Sequence, residues 1–410
     1  MKLNLNNLSL ALSHALDFME IDLLGVVSNH SKRVSYIATR LGAELGLPDD
    51  ELFDLVTLAI LHDNGMGAAF LAIKGGEPRT QSPGRAALSG MDAGPAHCIA
   101  GEDNIAGYPL RSDAKDILLY HHENWNGSGF FRLAGDAIPV MSQIIHLADL
   151  VELGSDLRNI DYAGKRKAIE FVSERAGSIL SPTLAAAFED LSTSPAFWLD
   201  LQDEFVGPAL HRRAPRFDAE MGWSQVREVT AIFSRIIDSK SRFTSLHSQE
   251  LSERAGAMAA FYKFDAETTD KLRIAADLHD VGKLAVSNAI LDKPGKLDPP
   301  EIDVIQRHTY YTRVSLDSIA GFEDITEWAA NHHEKLDGSG YPFGKDGRDL
   351  DFNSRLLACL DIYQALTEVR PYREALSHET TMGILRGMAS AGKIEAAIVE
   401  DLDKAFRPKP

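Results

Sequence analysis

The tetrad His-Asp-x-Gly occurs twice in this chain, in "LHDNGM" at 61–66 and in "LHDVGK" at 278–283. An imidazole beside a carboxylate is a pair of metal donors, but two donors do not hold a divalent ion against water. More must arrive from elsewhere in the chain, and both halves supply them in the same order. The second half carries His247, His279-Asp280, His308, His332-His333 and Asp361; the first carries His30, His62-Asp63, His97, His121-His122 and Asp149. The intervals 30–62 and 247–279 are both 32 residues, 97–121 and 308–332 are both 24, and the last are 27 and 28. Only 62–97 and 279–308 differ appreciably, 35 against 29, and the surplus falls around "KGGEPRTQSPGRA", a Gly/Pro/Ser-rich stretch suited to a loop. "HHENWNGSGFF" also faces "HHEKLDGSGYP". Ten of the 14 histidines sit at matched positions, so the chain is an internal duplication.

Six His/Asp donors from separate segments, with His247 as a seventh, suffice for two ions. Neighbouring His279 and Asp280 diverge by about 100° on helical geometry, so Asp280 can serve one ion and reach a second. Two ions roughly 3.5–4 Å apart can acidify a water and clamp the attacking and leaving oxygens of a phosphodiester. Lys283, one turn beyond His279, is placed to neutralise a phosphate oxygen as charge develops. Mixed nitrogen and oxygen donors suit Fe, Mn, Ni or Zn better than Ca or Mg alone. Taken singly, each histidine is more often an ordinary core or surface residue, and "DGSGYP" is an ordinary turn with Gly338 and Gly340 supplying positive φ. The ordered series outweighs those readings.

Such a series must be held by helices. "SKRVSYIATRLGAEL" puts Val34, Ile37, Leu41 and Leu45 on one face. "PDDELFDLVTLAILHD" opens with Pro48 and acids suited to a helix N-terminus, and "PPEIDVIQRHTYYTRVSLDSIA" begins similarly. Alternating β-branched runs are scarce, so the spacing predicts an all-α fold of two domains, 1–200 and 223–410, joined by a connector at 201–222. The N-terminus reads as an amphipathic helix and not a signal peptide. With 410 residues, 44% hydrophobic, and no apolar run near 18 residues, no membrane span is expected. Cys98 and Cys359 are the only cysteines, which fits a reducing cytoplasm. A net charge of −18 argues against a nucleic-acid polymer as partner but leaves room for a small phosphate ligand beside bound cations.

The segments "HS" at 247–248, "HDVGK" at 279–283, "RH" at 307–308, "HHEKLDGSGYP" at 332–342 and Asp361 resemble the HD-GYP family of bacterial cyclic-dinucleotide phosphodiesterases, over roughly residues 225–385. The resemblance implies helical bundles of the HD superfamily in tandem. It implies hydrolysis of cyclic di-GMP, or of mixed cyclic GMP–AMP, to the linear dinucleotide in bacterial second-messenger signalling. It makes His247, His279, Asp280, His308, His332, His333 and Asp361 the metal ligands, Asp280 the bridge and Lys283 the phosphate contact. Catalysis would then rest on Lys283, Asp280 and His279, with Gly340, Tyr341 and Pro342 in a loop near the substrate. Two divalent ions are expected, with Fe or Mn favoured and Ni, Zn or Mg admissible. Members with three ions place a glutamate four residues before the first histidine; here that residue is Phe243, which cannot ligate.

The first copy keeps a full donor set as a second candidate metal site: His30, His62, Asp63, His97, His121, His122 and Asp149. It has Met66 in place of the lysine, Asn126 in place of the loop aspartate and "GSGFF" in place of "GSGYP". Those changes predict a degenerate HD domain, regulatory or structural. The alternative to an enzyme is a catalytically inactive, metal-loaded cyclic-dinucleotide receptor, but Lys283 and an intact "GYP" favour the enzyme. A phosphohydrolase of other nucleotides is the third reading, and "HHEKLDGSGYP" speaks against it. A homodimer is left open.

Overall fold

The computed structural model describes residues 2–24, 28–73, 93–241, 247–369 and 374–408. Phe243 and the Gly/Pro/Ser-rich stretch at 74–86 lie outside the described residues. As expected, the described residues are mainly helical, and the strands among them are Lys2–Leu3 and Ala219–Glu220, two residues each. Two compact units divide it, the first running from Lys2 to Ala219 and the second from Glu220 onward. Among the described residues no helix is long and apolar enough to cross a membrane.

The first unit contains α1 (Leu5–Leu24), α2 (His30–Glu44), α3 (Asp49–Ile60), α4 (Met66–Ile73), α5 (Ala93–Asn104), α6 (Val140–Gly154), α7 (Tyr162–Ser173), α8 (Pro182–Ser192), α9 (Pro195–Leu199) and α10 (Val206–Arg213). Helix α2 is its axis, packed by α1, α3, α6, α8 and α10. Val34, Ile37 and Leu41 are buried as their spacing predicts, but so are Lys32, Arg33, Ser35 and Thr39 on the polar side. A helix surrounded on all sides must satisfy its polar groups internally. Lys32 pairs with Asp17 at 3.1 Å. The Arg33 guanidinium spans Glu152 at 2.9 Å and Asp203 at 2.8 Å. Ser35 donates to the Val56 carbonyl at 2.9 Å. Much of the expected connector is α10, packed on α2 as part of this unit.

The second unit contains α11 (Trp223–Asp238), α12 (His247–Tyr262), α13 (Ala266–Leu278), a 3₁₀ turn (Val281–Ala285), α14 (Asn288–Leu291), α15 (Pro299–Leu316), α16 (Glu323–Ala330), α17 (Phe352–Thr367), α18 (His378–Ser390) and α19 (Ala396–Phe406). Here α12 is the axis, against α11, α13, α17 and α19. Three of the helices that end in or carry donors, α13, α15 and α17, begin with side-chain caps. Asp265 accepts from the Thr268 amide at 2.7 Å to start α13, and Asp351 from the Ser354 amide at 2.7 Å to start α17. Asp298 and Glu301 close a reciprocal box at 3.0 and 2.8 Å to start α15. Each cap fixes where its helix starts, and therefore the depth at which its histidine or aspartate enters the core.

Replacing Arg33 with alanine leaves the buried Glu152 charge with His30 as a partner but without its guanidinium. We expect a loss of roughly 3–5 kcal/mol in urea unfolding; a loss below about 1 kcal/mol would refute the buried pair as a support of α2.

Candidate metal centres

In the second unit every expected donor converges. His279 is the residue at which α13 stops, and Asp280 leads into the 3₁₀ turn. His247 opens α12, His308 lies inside α15, His332 and His333 follow α16, and Asp361 lies inside α17. The two oxygens of Asp280 face different partners. Oδ2 is 3.1 Å from His279 Nε2 and 3.7 Å from His247 Nε2; Oδ1 is 3.5 Å from His308 Nε2 and 3.8 Å from His332 Nε2. Asp361 Oδ1 closes the first group, 3.4 Å from His247 Nε2 and 4.0 Å from His279 Nε2. Two donor groups result, His247/His279/Asp280 and His308/His332/His333, with Asp280 between them.

The first unit repeats the arrangement. Asp63 Oδ2 lies 3.5 Å from His62 Nε2, while Oδ1 lies 3.5 Å from His97 Nε2 and 3.9 Å from His121 Nε2. Asp149 Oδ1 is 3.6 Å from His30 Nε2 and 3.8 Å from His62 Nε2. The groups are His30/His62/Asp63 and Asp63/His97/His121/His122. All seven sequence-predicted donors of each copy therefore meet in one place within their own unit.

The glycine of the motif has a steric cause. A Cβ on Gly282 would lie 1.9 Å from the His308 carbonyl oxygen, and one on Gly65 would lie 2.1 Å from the His97 carbonyl oxygen. The helix bearing the third histidine is thus packed backbone-to-backbone on the His-Asp turn, which a side chain would prevent. The loop after each His-His pair is folded by the next glutamate. Glu334 accepts from the amides of Phe343 (2.7 Å) and Lys345 (3.0 Å), and Glu123 from those of Phe131 (2.8 Å) and Leu133 (2.6 Å).

The imidazoles are oriented for ligation. His279, His308 and His332 use Nδ1 against the carbonyls of Ala276 (2.7 Å), Ile305 (2.5 Å) and Ala329 (2.6 Å), and His62 and His121 do so against Ala59 (2.9 Å) and Leu118 (2.6 Å). Donation from Nδ1–H leaves Nε2 as the lone-pair nitrogen. Among the described residues, Nε2 of His62, His121 and His279 and Oδ1 of Asp280 are buried with no hydrogen-bond partner. Burial pushes His332 down to about 3 and His308 down to about 4, holding both neutral. Burial alone would raise the Asp280 carboxyl, but His279, Lys283 and His308 outweigh it and keep it ionised, well below the usual carboxylate range. His308 and His332, held neutral beside the ionised Asp280, fit divalent transition ions, while the carboxylates around His247 raise that imidazole to about 9, a proton that a bound ion would displace.

Carboxylates that hold the first histidine were not read from the sequence. His247 Nδ1 meets Glu368 at 3.0 Å, and His30 Nδ1 meets Glu152 at 2.5 Å. The two glutamates lie seven and three residues beyond the matched aspartates Asp361 and Asp149, so spacing hid their common role. Lys335, directly after the HHE triplet, was also missed. It is half-buried, and burial lowers its ammonium below the usual lysine range despite the pull of Asp361.

Of the three departures in the first copy, one has no structural effect. Asn126 accepts from the Ser128 amide at 3.0 Å as Asp337 does from Ser339 at 3.0 Å, so the turn is the same. The lysine matters more. Lys283 Nζ sits 2.5 Å from Asp280 Oδ2, inside the donor cluster, whereas Met66 in the same backbone turn is buried and uncharged. Tyr341 stacks on His333 with centroids 4.8 Å apart, whereas Phe130 meets His122 edge-on at 6.1 Å. Gly282→Ala should leave helical content intact by circular dichroism and strip metal from the second copy; unchanged metal content would contradict the close approach as its cause.

The HD domain, as a family profile, matches residues 27–154 and again residues 231–398. The chain is 28% identical to 3'3'-cGAMP-specific phosphodiesterase 1 of Vibrio cholerae over 408 residues, 97% of this chain and 90% of that protein. It is 33% identical to 3'3'-cGAMP-specific phosphodiesterase 3 of the same organism over 265 residues, 64% of this chain and just over half, 56%, of that protein. A cyclic di-GMP phosphodiesterase response regulator of Xanthomonas campestris is 33% identical over 164 residues, 39% of this chain and 43% of that protein. Among solved structures, a cyclic GMP-AMP specific phosphodiesterase of V. cholerae superposes with a TM-score of 0.70 at 25% identity, covering 100% of this chain and 99% of that one.

Proposed function

The chain belongs to the HD-domain family, of the tandem HD-GYP type, and on that premise we propose that it is a metal-dependent phosphodiesterase that opens a cyclic dinucleotide to the linear form. The observation that carries this reading is the pair of donor groups in the second unit sharing Asp280, with Lys283 at the same carboxylate. We assign 223–410 as the catalytic domain and 1–200 as a degenerate HD domain, with 201–222 as a connector whose helix α10 packs on the first unit. 3',3'-cyclic GMP–AMP is the favoured substrate, because the relative aligned over nearly the whole chain is named for it, and cyclic di-GMP is the second.

In this reading His247, His279, Asp280 and Asp361 would hold one ion, and Asp280, His308, His332 and His333 would hold another. Fe or Mn is favoured by the mixed donors. Such ions supply Lewis acidity and acidify a water. The chain's own groups do the rest. Asp280, kept ionised by its neighbours, fixes the two donor groups at one separation. Lys283 brings a positive charge to the point where phosphate charge grows as water adds to phosphorus and the sugar oxygen leaves with a proton. The Gly340-Tyr341-Pro342 loop, held by Glu334, presents the Tyr341 ring beside His333 as a wall for the substrate.

The test is turnover of cyclic GMP–AMP and cyclic di-GMP in competition, with anaerobically purified protein loaded with Fe(II) or Mn(II). Linear product is expected, with the mixed dinucleotide consumed faster; metal-loaded protein that binds either compound without cleaving it would make the chain a receptor. Lys283→Ala should retain metal while kcat falls roughly 10²–10³-fold; a parallel loss of metal would make the lysine structural. In the first copy, where methionine replaces this charge, His62→Ala with Asp63→Asn should leave kcat within about twofold, and a large loss would establish a second active site.

A further inference from the structure

The first donor cluster contains a sulfur that its counterpart lacks. Cys98 follows His97 in α5, is fully buried, and places Sγ 3.7 Å from His97 Nε2, the nitrogen that faces Asp63 at 3.5 Å. Two ligands on one tetrahedral ion, with metal–sulfur near 2.3 Å and metal–nitrogen near 2.0 Å, stand about 3.5 Å apart. Sγ and Nε2 therefore already have the separation that one ion would impose. The thiol's other contact is the Gly94 carbonyl at 3.3 Å, one turn back on its own helix, a weak bond that any cysteine in a helix can make. The matched residue in the second copy is Thr309, whose hydroxyl is turned back to the Gln306 carbonyl at 3.0 Å. Cys359, the other cysteine, is buried in the second unit, and burial pushes it up to about 12.

We propose that Cys98 is a thiolate ligand of the first copy's metal centre, beside His97, which makes that centre a sulfur-bearing site distinct from the all-nitrogen-and-oxygen centre of the second copy. The inference rests on the reading that the first copy binds metal. On binding, the metal–sulfur bond forms and the thiol proton is released to solvent. Soft thiolate shifts the preference of that half-site toward Zn, Fe(II) or Co(II) and away from Mn and Mg, so the two copies of one fold would select different metals.

The probe is Co(II) alone, added to the full-length apo protein, with metal content measured beside near-ultraviolet absorption. Thiolate coordination gives a sulfur-to-cobalt charge-transfer band. That band is expected in the native chain, absent in Cys98→Ser and Cys98→Ala, and retained in Cys359→Ser. Cobalt content should fall in His97→Ala/His121→Ala, which locates the ion in the first copy. A native chain that loses cobalt in that double variant yet shows no band, or a band that survives Cys98→Ser, would overturn the proposal. Cobalt content unchanged by the double variant would overturn it as well, while leaving hydrolysis by the second copy untouched.

Discussion

Each half of this molecule is organised around one buried aspartate whose two oxygens point to different sets of imidazoles. Asp280 and Asp63 have no room to act otherwise, because a carboxylate that deep is tolerable only when cations or cationic partners surround it. The rest of each unit serves that requirement. A glycine two residues on lets the backbone of the third-histidine helix close against the turn, and i−3 carbonyls hold the imidazoles with Nε2 inward. Helix caps at Asp265, Asp298 and Asp351 set the depth of the donors they precede.

The duplication preserves this inner arrangement and changes what surrounds it. Lys283 brings a positive charge to the bridging carboxylate of the second copy, while the first has an apolar Met66 at that turn. The carboxylate behind the first histidine comes from Glu368 in one copy and from Glu152, tied to Arg33, in the other. Two solutions to one problem at different positions mark the requirement as physical: an imidazole that donates from Nδ1 to a carboxylate is a better ligand at Nε2. Cys98 against Thr309 extends the contrast to the donors themselves.

The donors were legible because metal ligation demands particular residue types in a fixed order, and duplication printed that order twice. The helices around them were legible from periodicity at Val34, Ile37 and Leu41. What escaped was everything that depends on three-dimensional proximity between residues of ordinary type. Lys32 and Arg33 lie off the apolar stripe, yet they are buried against Asp17, Glu152 and Asp203. Asn126 read as a loss, yet it makes the same turn as Asp337, since either side chain offers the accepting oxygen. Glu368 and Lys335 carried no spacing signal. The prediction of two ions rested on Phe243, which lies outside the described residues.

The shared carboxylate is tested most directly by the metal content of Asp280→Asn in the full-length protein, measured by elemental analysis against the native chain. An amide offers one neutral oxygen in place of two charged ones, so both ions of the second copy should be lost together while those of the first copy remain. Loss of a single ion, or of none, would contradict the account, because Asp280 would then not be what joins the two donor groups.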